Sequence, residues 1–536
     1  MVRNLYRCYL YAVCIALLIA ATTTTSISLG LLLASTTLRG QYDSPPSRSQ
    51  LVQASVAFVT VWIVTLLLGG LHYWLIRRDM REDPAAGGGT VRSLFLNITQ
   101  LIAAPTAVAS AAVGISSLGQ SYGLSIRSFA TAISVGGLFA LVQWERNRAP
   151  VRSDTARAFQ RLHLYGAQLA LVFVATPFWL QAVQSSALYA FARMALFDPC
   201  VYYGYNYSNI ACTAITYYSL RQSAAQWGGA LLVAACWAGY TAYSRSDRHS
   251  RLRQVTHLLA FGYALGYVLW GAQRIFATVI LTTVGHPLAT REFPPDAATT
   301  LGALIFGAVA LSAYYWLYAR EAAGLPSGVP AAGLAQMALA GIICAYPFWL
   351  GARSLLSDVV ERAVPAGAQP DKVAFAQAGA LLLSGLPFVY FALQLNMRAR
   401  RTDVTWPHRV FALILLASGV IASAAGLVIA LQALISALLG APADNWQQTA
   451  RTGAVTLLVG GAMVAIFATV AARNRYLAAR PEAKPFPAAS GSGETQPVTV
   501  QAEAPVSLEA ILDALLAGRL SRDEAAHQIR AQTGAR

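Results

Sequence analysis

The chain has 536 residues, of which 56% are hydrophobic and only 12% are charged. A soluble domain usually carries about 25% charged residues, so this composition excludes an ordinary soluble protein. The net charge of +16 does not indicate nucleic-acid binding, because the arginines cluster directly after apolar stretches, where the positive-inside rule places them.

The N-terminal apolar stretch follows Arg3 and Arg7 and continues to about Leu38. It is longer than the roughly 7–15 apolar residues of a signal peptide. We therefore expect a retained first membrane span and not a cleaved signal. Further apolar stretches of 18 or more residues recur along the chain, and each is long enough to cross a bilayer as a helix.

These stretches pair into helical hairpins. The sequence predicts an all-α, polytopic integral membrane protein with about twelve transmembrane helices in six helical hairpins. The hairpins are expected near residues 5–78, 91–148, 159–245, 252–320, 331–401 and 407–475, and together they form a transmembrane region over residues 1–475.

Two short motifs favour an interpretation of the hairpins as internal repeats. Pro177-Phe178-Trp179-Leu180 in the third hairpin matches Pro347-Phe348-Trp349-Leu350 in the fifth. An arginine also follows a tryptophan by four residues at several places, so that the cation can lie over the ring one helical turn away. These pairs are Trp74/Arg78, Trp144/Arg148, Trp270/Arg274, Trp316/Arg320 and Trp349/Arg353. The same spacing is typical of an aromatic belt followed by a positive collar, which requires no function.

The connection over residues 187–220 is the longest one on the side of the membrane opposite the N-terminus, which the positive-inside rule predicts to be the exterior. It contains Cys200 and Cys212. Because that side of a membrane is oxidising, we predict a disulfide between these two cysteines. The alternative is two free thiols in a packed loop.

Arg274 and Arg353 follow Trp270 and Trp349 near the far ends of two first helices. One interpretation is that each arginine reaches to the membrane interface and stacks on its tryptophan. The other is that these residues form a contact for an anionic group, such as a lipid phosphate or a small acid. The planar fork of arginine suits that task.

After the last hairpin the composition changes. Residues 476–505 are rich in Pro, Ala, Ser and Gly, which predicts a flexible linker. Residues 506–536 predict a short cytoplasmic helical hairpin, and the run from Leu515 to Glu524 is similar to short C-terminal helical modules suspected of promoting oligomerisation. A segment this small rarely folds alone. We expect it to pack on a protein partner or on a second copy of the chain.

The sequence contains no pattern typical of a catalytic, metal-binding or cofactor-binding site. It has no P-loop, no H-E-x-x-H, no G-x-S-x-G and no C-x-x-C pair. We therefore expect no enzyme activity, no metal and no cofactor. His72, His163 and His257 lie near span ends and are interpreted as interfacial side chains. No Asp or Glu falls in the middle of a span, which argues against a proton-coupled or sodium-coupled transporter.

The chain begins with Arg3-Asn-Leu-Tyr6 and Tyr9-Leu-Tyr11, and its first hairpin ends with Leu71-His72-Tyr73-Trp74-Leu-Ile-Arg77-Arg78. This combination resembles an uncharacterised bacterial membrane family, domain of unknown function 5671, whose hairpins often end in a His-Trp-Arg-like run. The second and fourth hairpins keep part of that ending, whereas the third, fifth and sixth lack it. The resemblance implies a bacterial inner membrane, and it supplies no activity. The apolar spans themselves make the lipid bilayer the expected partner.

Lys and Arg residues between the spans number 24 on the side of the N-terminus and 10 on the other side. The positive-inside rule therefore predicts that both termini are cytoplasmic. Two functional hypotheses follow. The first is a non-enzymatic scaffold or sensor whose cytoplasmic C-terminal module meets partners. The second is a transporter or channel for a small or anionic solute or a lipid, because repeat architectures are common among transporters.

The orientation can be tested with reporter fusions after Arg78, Arg148, Arg248 and Arg401. Each position follows the second helix of a predicted hairpin, so all four reporters should be cytoplasmic. An exterior signal from any two of them would contradict the twelve-span topology.

Overall fold

The computed structural model describes residues 2–36, 44–87, 89–118, 122–148, 153–194, 209–247, 250–285, 293–322, 328–363, 372–399, 406–439 and 446–478. Within these ranges every regular element is helical and no strand is present. The chain divides after Asn474, and the packing described below belongs to the unit Met1–Asn474. The predicted linker from residue 479 onward and the predicted hairpin 506–536 lie outside the described residues.

The long helices are labelled in chain order. Their bounds are α1 Val2–Ala34, α2 Arg48–Glu82, α3 Thr90–Ser117, α4 Tyr122–Asn147, α5 Asp154–Arg193, α6 Asn209–Tyr243, α7 Arg251–Thr283, α8 Phe293–Ala322, α9 Gly328–Ala363, α10 Lys372–Arg398, α11 Trp406–Leu438 and α12 Trp446–Ala478. A single helical turn, Pro84–Gly87, lies between α2 and α3.

Eleven helices of the described chain are long and apolar enough to cross a membrane, which confirms the predicted all-α polytopic membrane fold. The difference from twelve concerns α6, which coincides with the sixth predicted span. This helix has the required length but is not among the eleven by apolarity of its described residues.

Two long helices contain local irregularities. In α2 the segment Thr65–Gly69 forms one π-helical turn, which continues directly into Gly70–Glu82. In α10 the α-helical geometry breaks at Leu386. The cause of this break is Pro387, because the proline ring disfavours helical geometry in the preceding residue.

The helices pack in a pattern that recurs along the chain. In each of the first five hairpins the two helices contact each other. In the first four, the first helix also contacts the second helix of the next hairpin: α1 with α4, α3 with α6, α5 with α8 and α7 with α10. The first helices α1, α3, α5, α7, α9 and α11 contact one another in succession. Each of these second helices therefore lies against two successive first helices. That the hairpins are copies of one unit stays an interpretation of the sequence.

The largest buried apolar cluster joins α5 and α7–α12. It contains a group of phenylalanines from the last two hairpins, in which Phe411 lies 5.9 Å from Phe467 and 6.3 Å from Phe388 between ring centroids. In a bilayer the lipid is as apolar as these side chains, so their contribution comes from close packing and not from removal of water.

The last hairpin is held by glycines. Gly419 and Gly426 of α11 face Gly460 and Gly453 of α12, and each pair is spaced by seven residues. A Cβ atom at Gly426 would lie 2.7 Å from the carbonyl oxygen of Gly453, so the two backbones touch here. Small residues at such contacts permit the close approach on which helix association in membranes depends.

We predict that Gly426→Leu separates α11 from α12 and destabilises the protein by about 1–3 kcal/mol, as expected for overpacking. The matched control is Gly461→Leu, because a Cβ atom at Gly461 meets no atom within 4 Å. The unfolding midpoint of each variant is measured by heating the purified protein with a thiol-reactive dye, which reacts with buried Cys344 once the protein unfolds. Equal midpoints for the two variants would contradict this account of the interface.

Candidate functional site

Antiparallel hairpins place the beginning of each first helix beside the end of its second helix. In four hairpins an ion pair joins these two ends, and it is most buried in the second and fourth. An arginine at the beginning of the first helix meets an acid at the end of the second. The pairs are Arg7–Asp79 at 2.6 Å, Arg92–Glu145 at 3.2 Å, Arg161–Asp247 at 2.9 Å and Arg253–Glu321 at 2.7 Å. We call these eight residues, together with Arg146, the charged layer.

The first and second hairpins are joined at Glu145. Its carboxylate accepts a hydrogen bond from the Tyr73 hydroxyl of α2 at 3.0 Å, and Arg148 donates to the same hydroxyl at 2.8 Å. Arg92, which is only 4% exposed, donates to both the side chain and the backbone carbonyl of Glu145. One carboxylate thus holds α2, α3 and α4 together.

The second and third hairpins are joined at Arg146. Its Nη1 donates to Gln100 Oε1 of α3 at 3.0 Å and lies 3.2 Å from His163 Nδ1 of α5. A guanidinium can only donate, so His163 accepts at Nδ1 and carries its proton on Nε2. That proton points toward the Tyr240 hydroxyl of α6, which lies 3.4 Å away.

The third and fourth hairpins are joined at Arg253, which is 2% exposed. Its Nη1 donates to the backbone carbonyl and the hydroxyl of Ser244, just beyond α6, at 2.5 and 2.7 Å. Its Nε and Nη2 face Glu321 of α8. Gln168 of α5 donates to the same Ser244 hydroxyl at 2.7 Å. Arg253 therefore links elements of two successive hairpins.

Burial makes these contacts structurally important. Removing a charge from water costs several kcal/mol, which only a close partner of opposite charge and well-formed hydrogen bonds offset. Once Arg253 is enclosed, loss of Glu321 would leave an uncompensated buried charge. The charged layer therefore holds α3, α4, α7 and α8 in fixed register at this end of the bundle.

Arg146 differs from the other arginines of the layer. Its hydrogen-bond partners are all neutral: Gln100, His163, the Oδ1 of Asn97 at 3.4 Å, and the side chain of Tyr243. Its guanidinium also lines a cavity of about 270 Å³ between α4, α5 and α6. The other lining residues that can form hydrogen bonds are Gln143, His163, Tyr240 and Tyr243, and none of them is an acid.

The residues predicted as an anion contact lie elsewhere. The Arg274 guanidinium lies 5.3 Å from the centre of the Trp270 ring, so this predicted cation–π pair is present. Trp349 packs instead against Phe348 and Phe388, and its buried indole N–H has no acceptor among the described residues. An anion or lipid contact at Arg274 and Arg353 stays a prediction.

The cation–π pairs at the ends of second helices are confirmed. The arginine carbons lie 5.9, 3.4 and 4.9 Å from the ring centres in Trp74/Arg78, Trp144/Arg148 and Trp316/Arg320. The predicted disulfide cannot be placed, because Cys200 and the side chain of Cys212 lie outside the described residues.

Sequence analysis missed the ion pairs of the charged layer and the burial of two histidines. His163 and His257 are 2% and 1% exposed; His163 contacts Arg146, and His257 lies 3.4 Å from Glu321. Their depth at the membrane interface stays a prediction. A usable signal was present: Arg7, Arg161 and Arg253 each stand four residues before an aromatic side chain. The described residues contain no group of three or more His, Cys, Asp and Glu side chains that could hold a metal ion.

No protein-family model, curated protein or solved structure matches the chain. The resemblance to the bacterial membrane family described above therefore stays a prediction, and the site has to be interpreted from its own geometry.

We predict that Glu321→Gln destabilises the protein by about 3–5 kcal/mol, because it leaves Arg253 charged and buried without its partner. The matched control is Glu82→Gln, which breaks the exposed pair with Arg78 and should cost about 0.5 kcal/mol or less. The double variant Arg253→Met/Glu321→Leu should recover most of the loss. Thermal unfolding of the purified protein measures all three. A midpoint for Glu321→Gln equal to that of Glu82→Gln would show that the pair does not stabilise the fold.

Proposed function

We propose that the protein is a non-enzymatic scaffold or sensor of a bacterial inner membrane and that it recognises an anionic group at Arg146. The observation that carries this proposal is the contrast within the charged layer. Four arginines are paired with carboxylates, whereas Arg146 is held by neutral groups and lines a cavity.

The chemistry of the cavity favours a carboxylate or phosphate group as ligand. Partly buried guanidinium groups gain most from an anion that accepts two parallel hydrogen bonds. Tyr240 and Tyr243 add hydroxyl groups, and Gln143 adds an amide on the same cavity wall. A bound anion would thus complete a site whose cation and hydrogen-bond donors are already in position.

The position of the cavity favours sensing over transport. Arg146 lies at the end of α4, and His163 lies near the beginning of α5, so the polar groups are concentrated at one end of the helices. A transport site must be reachable from both sides and usually lies near the middle of the bilayer. The excess of Lys and Arg on this side supports a cytoplasmic location.

The charged layer offers a route by which an anion could act on the rest of the protein. Arg146 contacts α3 through Gln100 and α5 through His163, and Gln100 Nε2 in turn donates to Gln143 Oε1 at 2.6 Å. An anion at Arg146 would compete for these contacts and bias the relation between the second and third hairpins. The C-terminal segment 506–536 is the proposed module that meets a protein partner or a second copy of the chain.

We predict that inorganic phosphate or citrate raises the unfolding midpoint of the full-length protein in detergent, whereas chloride at equal ionic strength does not. A ligand at 100 times its Kd stabilises a protein by about 2.7 kcal/mol. Arg146→Gln should abolish this stabilisation. Arg157→Gln, which removes an exposed arginine of α5 whose acid partner is also exposed, should leave it unchanged.

Two results would contradict the anion site. One is a wild-type protein whose midpoint does not respond to phosphate, citrate or other small carboxylates. The other is an equal response in Arg146→Gln and Arg157→Gln. Transport of the tested anion into vesicles by the wild type, lost in Arg146→Gln, would favour the transporter hypothesis over the sensor.

A further inference from the structure

In the first hairpin, little of the surface of the second helix, α2, is buried. Helix α2 contacts α1 along its length, but only 6% of its most apolar 18-residue stretch is buried. Helix α4 also packs on α1. Because α2 and α4 both lie against α1, they can leave a groove between them over its surface.

That groove contains an apolar cavity of about 280 Å³, which is close to the lower end of the roughly 300–1,000 Å³ of ligand pockets. Its walls include Cys14 and Leu18 of α1, Trp62 and Leu66 of α2, and Leu141 of α4. Leu66 and Leu141 are also 66% and 43% exposed, so the cavity opens sideways between helices that face the bilayer.

The π-helical turn of α2 forms one wall of this cavity. Thr65, Leu66 and Gly69 of the turn line it, as does Gly70 directly after the turn. Two carbonyl groups at the turn receive side-chain donors: the Cys14 thiol donates to Gly69 O at 3.6 Å, and His72 Nδ1 lies 2.7 Å from Leu68 O. Single π-helical turns are frequent at functional sites, and this one is contacted from α1 by Cys14.

Tyr73, Trp144 and Glu145 are lining residues of this apolar cavity that carry polar groups, and the Tyr73 hydroxyl lies between Glu145 and Arg148. Arg148 lies 3.4 Å over the Trp144 ring, and Arg77 lies 5.5 Å over the Tyr73 ring. Arg92 and Arg148 both form an ion pair with Glu145. Because two cations share one carboxylate, the net charge is positive beside these residues, the part of the cavity that we call its mouth.

We infer that this cavity holds one acyl chain of an anionic phospholipid, with the phosphate group at Arg148 and Arg77. The apolar walls suit a hydrocarbon chain, and the positive mouth suits the headgroup. A partner helix is too wide for the space, because a helix with its side chains has a diameter of about 10–12 Å. The lateral opening gives a lipid direct access from the bilayer. This site is separate from the Arg146 cavity, which lies between α4, α5 and α6.

The chain offers a matched pair of variants to test the acyl-chain site. A Cβ atom at Gly70 meets no atom within 4 Å although the residue lines the cavity, so Gly70→Phe is expected to fill the space. Gly137 of α4 is equally free of neighbours and does not line the cavity, so Gly137→Phe is the control. Leu66→Trp is a second variant that fills the cavity from α2, for use if Gly70→Phe does not fold.

The headgroup contact has its own matched pair. Arg148→Gln removes the cation at the mouth of the cavity. Arg320→Gln removes an arginine with the same cation–π geometry at the end of α8. Arg148→Gln should lower the preference for anionic over zwitterionic lipid about fivefold, as expected for one arginine near an anionic headgroup.

The experiment uses the full-length protein reconstituted in vesicles of phosphatidylglycerol and phosphatidylethanolamine. A phosphatidylglycerol with a photoactivatable diazirine in its acyl chain is the probe, and mass spectrometry maps the labelled residues. We expect labelling of Cys14 and Leu18 in the wild type and in Gly137→Phe, and its loss in Gly70→Phe or Leu66→Trp. A zwitterionic probe of the same chain length should label these residues less than the anionic probe does, and Arg148→Gln should reduce that difference.

Three results would overturn the inference. The first is equal labelling of Cys14 in Gly70→Phe and Gly137→Phe. The second is equal labelling by the anionic and zwitterionic probes in the wild type. The third is protection of the cavity by residues 506–536 or by a second copy of the chain, detected as protein–protein crosslinks in place of lipid labels.

Discussion

Charged side chains at the ends of apolar helices are the constraint on which this structure depends. An arginine enclosed between helices must be matched by an acid or by several acceptors, since its desolvation costs several kcal/mol. The antiparallel hairpin meets this need, because it brings the end of one helix to the beginning of the other. Arg253 and Glu321 are the most enclosed example, at 2% and 8% exposure.

The same contacts connect one hairpin to the next. Tyr73 and Glu145 join the first to the second, Arg146 and His163 the second to the third, and Ser244 and Arg253 the third to the fourth. The last two hairpins are held differently, by aromatic packing and glycine contacts. One part of the protein is thus held by polar contacts at the helix ends, where a charged ligand can act, and the other by close packing within the helices.

Hydropathy predicted most of the fold. Stretches of 18 or more apolar residues predict membrane helices. The four-residue spacing of Trp and Arg predicted the cation–π pairs at Trp74, Trp144, Trp270 and Trp316, but not the packing of Trp349 on Phe348 and Phe388. The charged layer was harder to predict, because arginines after apolar stretches follow the positive-inside rule whether or not they are paired. That Arg146 is held by neutral groups and not by a carboxylate depends on which helices pack beside α4. The cavity beside the π-helical turn depends on how α2 and α4 lie against α1, which no local pattern specifies.

The central claim is that the charged layer is fully paired except at Arg146, which is left to an anion. A high-resolution cryo-electron microscopy map of the full-length protein in lipid nanodiscs, prepared in phosphate buffer, tests it most directly. The account predicts Arg92 and Arg253 in contact with Glu145 and Glu321, and density for a bound anion against the Arg146 guanidinium. A carboxylate of the chain itself on Arg146, or an Arg146 side chain turned away from the cavity, would contradict it.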